Sequence, residues 1–262
     1  MYTVSEEAVS HYHRDGYIVL RRIIPSSLVN DLRRQAAIAR EIARDARGGQ
    51  VQRLQPVGAY PEQLDLAVFR DYYELADLRE AISTVLTPEH RSPGLDVLGI
   101  LFEPRDAPYC TAWHRDITRK SSRMSLADYR ELMTDYRAAN QVNCALYDDS
   151  CTWYVPGSHH RVYDLPGETA AAGHSIDSAG LDDATHEALG IAYCQRMPGA
   201  VQLHLNAGDF ALYRPAGWHL GNYTPTARRA TLHDALLTPA VERWWRAWIA
   251  GGDAPWHGFD DE

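Results

Sequence analysis

Apolar and polar positions alternate in two different rhythms along this chain. Over the first ninety residues the apolar ones recur at helical spacing. "PSSLVNDLRRQAAIAREIARDARGG" (25–49) predicts a long helix with Ser26 or Ser27 as its N-cap and Gly48-Gly49 as its stop. "PEQLDLAVFRDYYELADLREAISTVL" (61–86) predicts a second helical stretch. Ahead of the first long helix, "GYIVLRRII" (16–24) reads as a strand with one hydrophobic face.

From residue 95 the rhythm shortens. "LDVLGILFE", "YCTAWHRD", "NQVNCALYD", "CTWYVPGSHH", "GAVQLHL", "DFALYRP" and "RRATLHDALL" are strand-like runs separated by turn residues. Many short strands so spaced predict a sandwich or barrel rather than alternating βαβ units. "SLADYRELMTDYRAAN" opens on a Ser-x-x-Asp capping signal, "LDDATHEALGIAYCQRM" has helical spacing, and "AVERWWRAWIAGG" reads as a final helix stopped by glycines. The expected fold is α+β: helices first, then a double-sheet core with helical insertions. No linker, internal repeat or low-complexity tract divides residues 1–262, so a single domain is expected.

Composition narrows the function. With 45% apolar and 23% charged residues the chain has the make-up of a soluble globular protein. A formal net charge of −9 argues against a nucleic-acid partner, since phosphate neutralisation needs basic surface. No run approaches the roughly 18 apolar residues of a membrane span. The opening "MYTVSEEAVSHYHRDG" is polar and acidic, unlike a signal peptide. Cys110, Cys144, Cys151 and Cys194 show no CxxC spacing, and reduced, mostly buried thiols in a cytoplasmic protein are expected.

The tripeptide His-Arg-Asp occurs twice, at 13–15 and 114–116. Neither opens a protein-kinase catalytic loop, which needs Asn five residues after the Asp; these positions hold Leu20 and Ser121. His13 and Asp15 lie at the end of a polar helical turn, where residues two apart diverge, and Asp15-Gly16 supplies a bend. His114 and Asp116 end a strand-like run, where i and i+2 project from one face and bring an imidazole and a carboxylate together. A third ligand is then needed. His219, just past the strand "FALYRP", is the leading partner; His204, His233, His159 and His160 compete. Trp113 and Trp218, each preceding a histidine, are expected on the opposite face against core.

"HRD", "NQVNCALYDDSCTWYVPGSHHR", "LNAGDFALYRPAGWHLGN" and "RRA" together resemble the phytanoyl-CoA dioxygenase family of non-haem iron, 2-oxoglutarate-dependent oxygenases, over roughly residues 11–236. The resemblance implies a double-stranded β-helix (jelly-roll, cupin-like) core with His114, Asp116 and His219 as the facial triad on Fe(II). Two imidazoles and one carboxylate leave three coordination positions open. In the family, 2-oxoglutarate takes two and O2 the third, and decarboxylation to succinate and CO2 drives oxidation of a substrate. Related halogenases carry a small residue in place of the carboxylate, so Asp116 argues against halogenation.

The far carboxylate of 2-oxoglutarate calls for an arginine fork. Matching "RRA" and counting from Asn222 picks Arg228, with Arg229 as the alternative because the turn His219-Leu220-Gly221-Asn222 is shorter than the family's. Asn143 is a further candidate for hydrogen-bonding the cosubstrate, if it faces the barrel interior; His159 reads as structural support. The expected function is oxidation, foremost hydroxylation, of a small organic metabolite. A cupin-like metal-dependent isomerase or hydrolase without O2 chemistry is the alternative. Residues 117–139, rich in Arg, Lys and Ser, are expected to form a lid suited to an anionic substrate.

Overall fold

The structure, a computed structural model, describes residues 2–174, 176 and 180–251. Helix α1 (Glu6–Asp15) is capped by the Ser5 side chain and closed by Gly16 in the left-handed conformation (φ 83°). Strand β1 (Tyr17–Leu20) follows, shorter than the apolar run predicts, because Ile24 turns off to pair with Gly208. Helix α2 (Ser26–Arg47) begins at Ser26 itself, so Pro25 and neither serine is the N-cap. The second helical stretch is two helices, α3 (Leu66–Tyr73) and α4 (Ala76–Val85), with the short strand β2 (Arg53–Leu54) before them.

The β-rich half holds β3 (Gly99–Phe102), β4 (Tyr109–Cys110), β5 (Asn140–Ala145), β6 (Thr152–Tyr154), β7 (Val201–Gln202), β8 (Phe210–Tyr213), β9 (His219–Tyr223) and β10 (Ala230–Leu236). Between β4 and β5 lie α5 (Arg119–Ser122) and α6 (Leu126–Thr134); between β6 and β7 lie α7 (Glu168–Ala172) and α8 (Asp183–Arg196). Helix α9 (Pro239–Ile249) closes the described chain, and Gly251 supplies one of the two expected glycine stops; Gly252 lies outside the described residues.

The strands form two antiparallel sheets, β1-β8-β5-β10-β3-β2 and β4-β9-β6-β7, the double-stranded β-helix arrangement. Period-two alternation in the larger sheet decides where chemistry is placed. Val142, Cys144, Phe210, Leu212, Leu232 and Leu236 face outward and pack, fully buried, under α1–α4 in the main core. Their neighbours Gln141, Asn143, Tyr213 and His233 face inward and line a cavity shared with the smaller sheet. A core that is apolar on one face of the sheet leaves the other free to carry polar groups.

Two smaller apolar clusters brace the cavity's ends. Ile117, Tyr129, Leu132 and Met133 pack on Val241 and Trp244 of α9. The segment after Asp116 is therefore a two-helix cap docked on the C-terminal helix. Trp113, Trp153, Tyr193 and Leu220 form the other cluster, with Trp218 packed against it, so both tryptophans sit against core as expected.

Candidate metal centre

His114, Asp116 and His219 come together: one ligand atom from each lies within 4.8 Å of the other two. His114 Nε2 is 3.5 Å from Asp116 Oδ1, and His219 Nε2 is 3.6 Å from Asp116 Oδ2. The local backbone explains the convergence, although not as a continuous strand. β4 ends at Cys110, and the chain runs on extended, making an isolated bridge in which His114 and His219 exchange both backbone hydrogen bonds (3.1 and 3.0 Å). Asp116 N then bonds Pro215 O at 3.0 Å.

Both imidazoles are held in the same way. His114 Nδ1 lies 2.7 Å from Ala112 O and His219 Nδ1 2.9 Å from Gly217 O. A carbonyl only accepts, so each Nδ1 carries a proton and each ring directs its Nε2 at the shared point. Burial disfavours charge on His114 and lowers its pKa. Burial alone would raise the Asp116 carboxyl, but His219 and His114 outweigh it and hold the group well below the usual carboxylate range. Gln141 Nε2 donates to Asp116 Oδ2 at 2.6 Å, leaving Gln141 Oε1 buried without a hydrogen-bond partner.

The cavity beside these ligands, about 120 Å³, is walled by both sheets. Asn143 does face it, but its amide is committed. Nδ2 donates to Thr152 Oγ1 at 3.0 Å, and Oδ1 accepts from His233 Nδ1 at 3.0 Å. His233, one of the competing histidines, is a wall residue kept neutral by burial, its pKa pushed down to about 3; it is not among the three converging ligands. His159 hydrogen-bonds His13 O, and His204 belongs to neither the triad nor the cavity wall. His13 and Asp15 end α1, with Asp15 paired to His11 and Arg14.

Arg228 and Arg229 part company. Arg228 is exposed, its guanidinium 5.1 Å over the Tyr147 ring; neither it nor Arg229 is among the cavity's lining residues, which include Arg53. Arg229 is buried, sharing a sheet face with Thr231 and His233. Its Nε donates to Asp149 Oδ2 at 2.6 Å, and its guanidinium lies 4.9 Å over the ring of Tyr223, a cavity residue. Burial alone would lower Arg229's pKa, and Asp149 more than reverses this. Arg229 Nη1 is buried with no partner. His219-Leu220-Gly221-Asn222, expected as a short turn, is most of β9, and of the two arginines that follow it Arg229 is the buried one. Gln141, Tyr213 and Thr152 were missed. Gln141 could have been found from its alternation with Asn143 on β5.

The residues fit an iron site and its cosubstrate: neutral nitrogen and carboxylate donors suit a facial triad on Fe(II), and a buried guanidinium nitrogen without a partner suits a dicarboxylate. Residues 12–230 match the phytanoyl-CoA dioxygenase (PhyH) family. No curated protein matches the chain. Solved structures with a similar fold include AviO1 from Streptomyces viridochromogenes Tue57 (17% identity, TM-score 0.58, covering 91% of this chain and 98% of that one). Another is SnoN, the non-haem α-ketoglutarate-dependent epimerase of nogalamycin biosynthesis (17%, 0.55, 89% and 82%). A third is EctD from S. alaskensis with bound Fe (18%, 0.56, 90% and 77%). At such identities the likeness speaks for the fold alone, whereas the family match spans most of the chain. The chain belongs to the phytanoyl-CoA dioxygenase family of Fe- and 2-oxoglutarate-dependent oxygenases.

Proposed function

We propose that the chain acts as one oxygenase domain that hydroxylates a small organic metabolite, with His114, Asp116 and His219 holding Fe(II) and Arg229 holding the far carboxylate of 2-oxoglutarate. The observation that carries this reading is the pair of Nδ1-locked imidazoles aimed, with Asp116, at one point. Bound there, Fe(II) supplies the reduction of O2 coupled to decarboxylation of 2-oxoglutarate to succinate and CO2. Gln141 fixes one Asp116 oxygen and so restricts how the carboxylate turns toward the metal. Arg229, already oriented by Asp149 and the Tyr223 ring, offers its unpaired Nη1 to an anion. Leu101, Leu220 and Tyr213 are among the walls of the cavity beside the triad.

The test is anaerobic reconstitution with Fe(II) and 2-oxoglutarate, exposure to O2, and measurement of succinate and product across a metabolite panel. Product carrying one oxygen atom from O2, at one succinate each, is expected. Turnover of the metal-loaded protein that ignores 2-oxoglutarate and O2 would instead favour the isomerase or hydrolase alternative.

A further inference from the structure

Two of the chain's four cysteines face each other where an inserted helix meets the smaller sheet. Cys110 Sγ, on β4, lies 4.0 Å from Cys194 Sγ, on α8, although the two residues are 84 positions apart in sequence. Both are free thiols. Their exposure differs. Cys110 is half-buried and lines a cavity of about 480 Å³ together with Pro108, Thr111 and Tyr193, whereas Cys194 is fully buried in the cluster around Trp113.

The backbone on either side of the pair is fixed. β4 pairs with β9, setting Cys110 opposite Asn222, and Thr111 N donates to Gly221 O at 2.9 Å. Tyr193, next to Cys194, accepts at its hydroxyl from Trp113 N at 3.0 Å, so α8 is tied to the segment that leads into His114. Sulfurs held 4.0 Å apart need an approach of about 2 Å to bond, which rotation about the Cα–Cβ bonds can supply. Cys110 Sγ also lies 3.5 Å from Thr111 O. The contact with Cys110, together with burial, raises the Cys194 pKa and keeps that group a thiol.

We infer that Cys110 and Cys194 are a peroxide-responsive pair that closes to an intramolecular disulfide, a modification site outside the triad. The Cys110 sulfur, reached from the cavity, attacks one oxygen of hydrogen peroxide. The O–O bond breaks, an S–O bond forms, and Cys110 becomes a sulfenic acid as one water leaves. The Cys194 sulfur then bonds the Cys110 sulfur and displaces that hydroxyl, which departs with the Cys194 thiol proton as a second water. Two electrons pass from the sulfurs to the peroxide. The product ties α8 to the strand edge that runs into His114.

The full chain is loaded with Zn(II), so that peroxide meets no redox-active ion, treated with hydrogen peroxide, then unfolded for thiol counting and peptide mapping. Two free thiols should remain of the four cysteines, with one peptide linking position 110 to position 194, and a reductant should restore all four. Because the bond closes a long loop, oxidation should raise the melting temperature by roughly 5–10 °C, reversibly. Cys110→Ser, on the cavity side, should abolish both the link and the shift, as should Cys194→Ala; Cys151→Ser should keep both. If the buried Cys194→Ala variant fails to fold, the wild-type map and Cys110→Ser decide the matter. Four thiols surviving peroxide, a link through Cys144 or Cys151, a link between two chains, or Cys110 oxidised to sulfinic acid with no link would each overturn the inference.

Discussion

At the scale of single residues, the account turns on which arginine faces inward. Two charge-assisted hydrogen bonds to a carboxylate are worth about 1.5–3 kcal/mol each. Losing the fork should raise the apparent 2-oxoglutarate requirement by roughly two orders of magnitude. Arg229→Lys, which keeps a charge beside Asp149 while removing the fork, is the informative variant, since Arg229→Ala would strand a buried carboxylate. Arg228→Ala should change the requirement less than threefold; the reverse pattern would put the anchor back on Arg228. Gln141→Leu removes a side-chain hydrogen bond to Asp116 and should weaken iron binding by about 10–100-fold, measured by competition with a metal chelator. The grouping of His114, Asp116 and His219 was legible in the sequence because a His-x-Asp pair in extended chain shares a face. The choice between Arg228 and Arg229 was less so, because choosing between adjacent residues needs the strand register, and that depended on an element the pattern hid.

That element is β9. "HLGNY" has a glycine at its centre and no run of β-branched residues, so its sequence reads as a turn; pairing with β4 and β6 on either side makes it a strand. Gly221 is required there, since an added Cβ would collide with the Tyr223 ring. The long amphipathic α2 and the capped α6 were readable, because their signals are local; α5, four residues long, carries too little periodicity to be seen. A prediction at this scale concerns the adjacent turns at the paired ends of β1 and β8. Asp209 is fully buried and accepts from Arg21 Nη1 (2.6 Å), Arg22 N (2.7 Å) and Asn206 N (2.8 Å). Arg22 itself stands at φ 53°. Asp209→Ala takes this acceptor from the Arg22 and Asn206 amides and should cost about 2–3 kcal/mol. Melting should fall by roughly 5–10 °C. An unchanged Tm would show that the turn is held without Asp209.

For the whole molecule, buried titratable groups set the response to acid. Burial pushes His90 down to about 4 and His159 and His233 to about 3, so they stay neutral in the folded protein while the unfolded chain takes up protons below its ordinary value of 6.5. Their stabilisation is present above pH 6.5 and is lost as pH falls toward 4, about 1.4 kcal/mol per pH unit each. Asp234 works the other way: burial raises its carboxyl to about 6, so the folded protein binds its proton first and gains stability as pH falls from 6 toward 3.8. Taken by themselves, these three losses against one gain make a decline of roughly 3 kcal/mol per unit below pH 6. Asp234→Asn should steepen it, and urea unfolding of the metal-free protein at pH 7, 6 and 5 reads the slope; a flat profile would contradict the assignment. Among the described residues no helix is long and apolar enough to cross a membrane. The most direct test of the central claim is Fe(II) stoichiometry, measured by anaerobic equilibrium dialysis of wild type, His114→Ala, Asp116→Ala, His219→Ala and the control His13→Ala. One iron per chain in wild type and His13→Ala, with at least a hundredfold weaker binding in the other three, is predicted. Full occupancy at wild-type affinity in His219→Ala would contradict the proposed centre and pass the third position to another ligand.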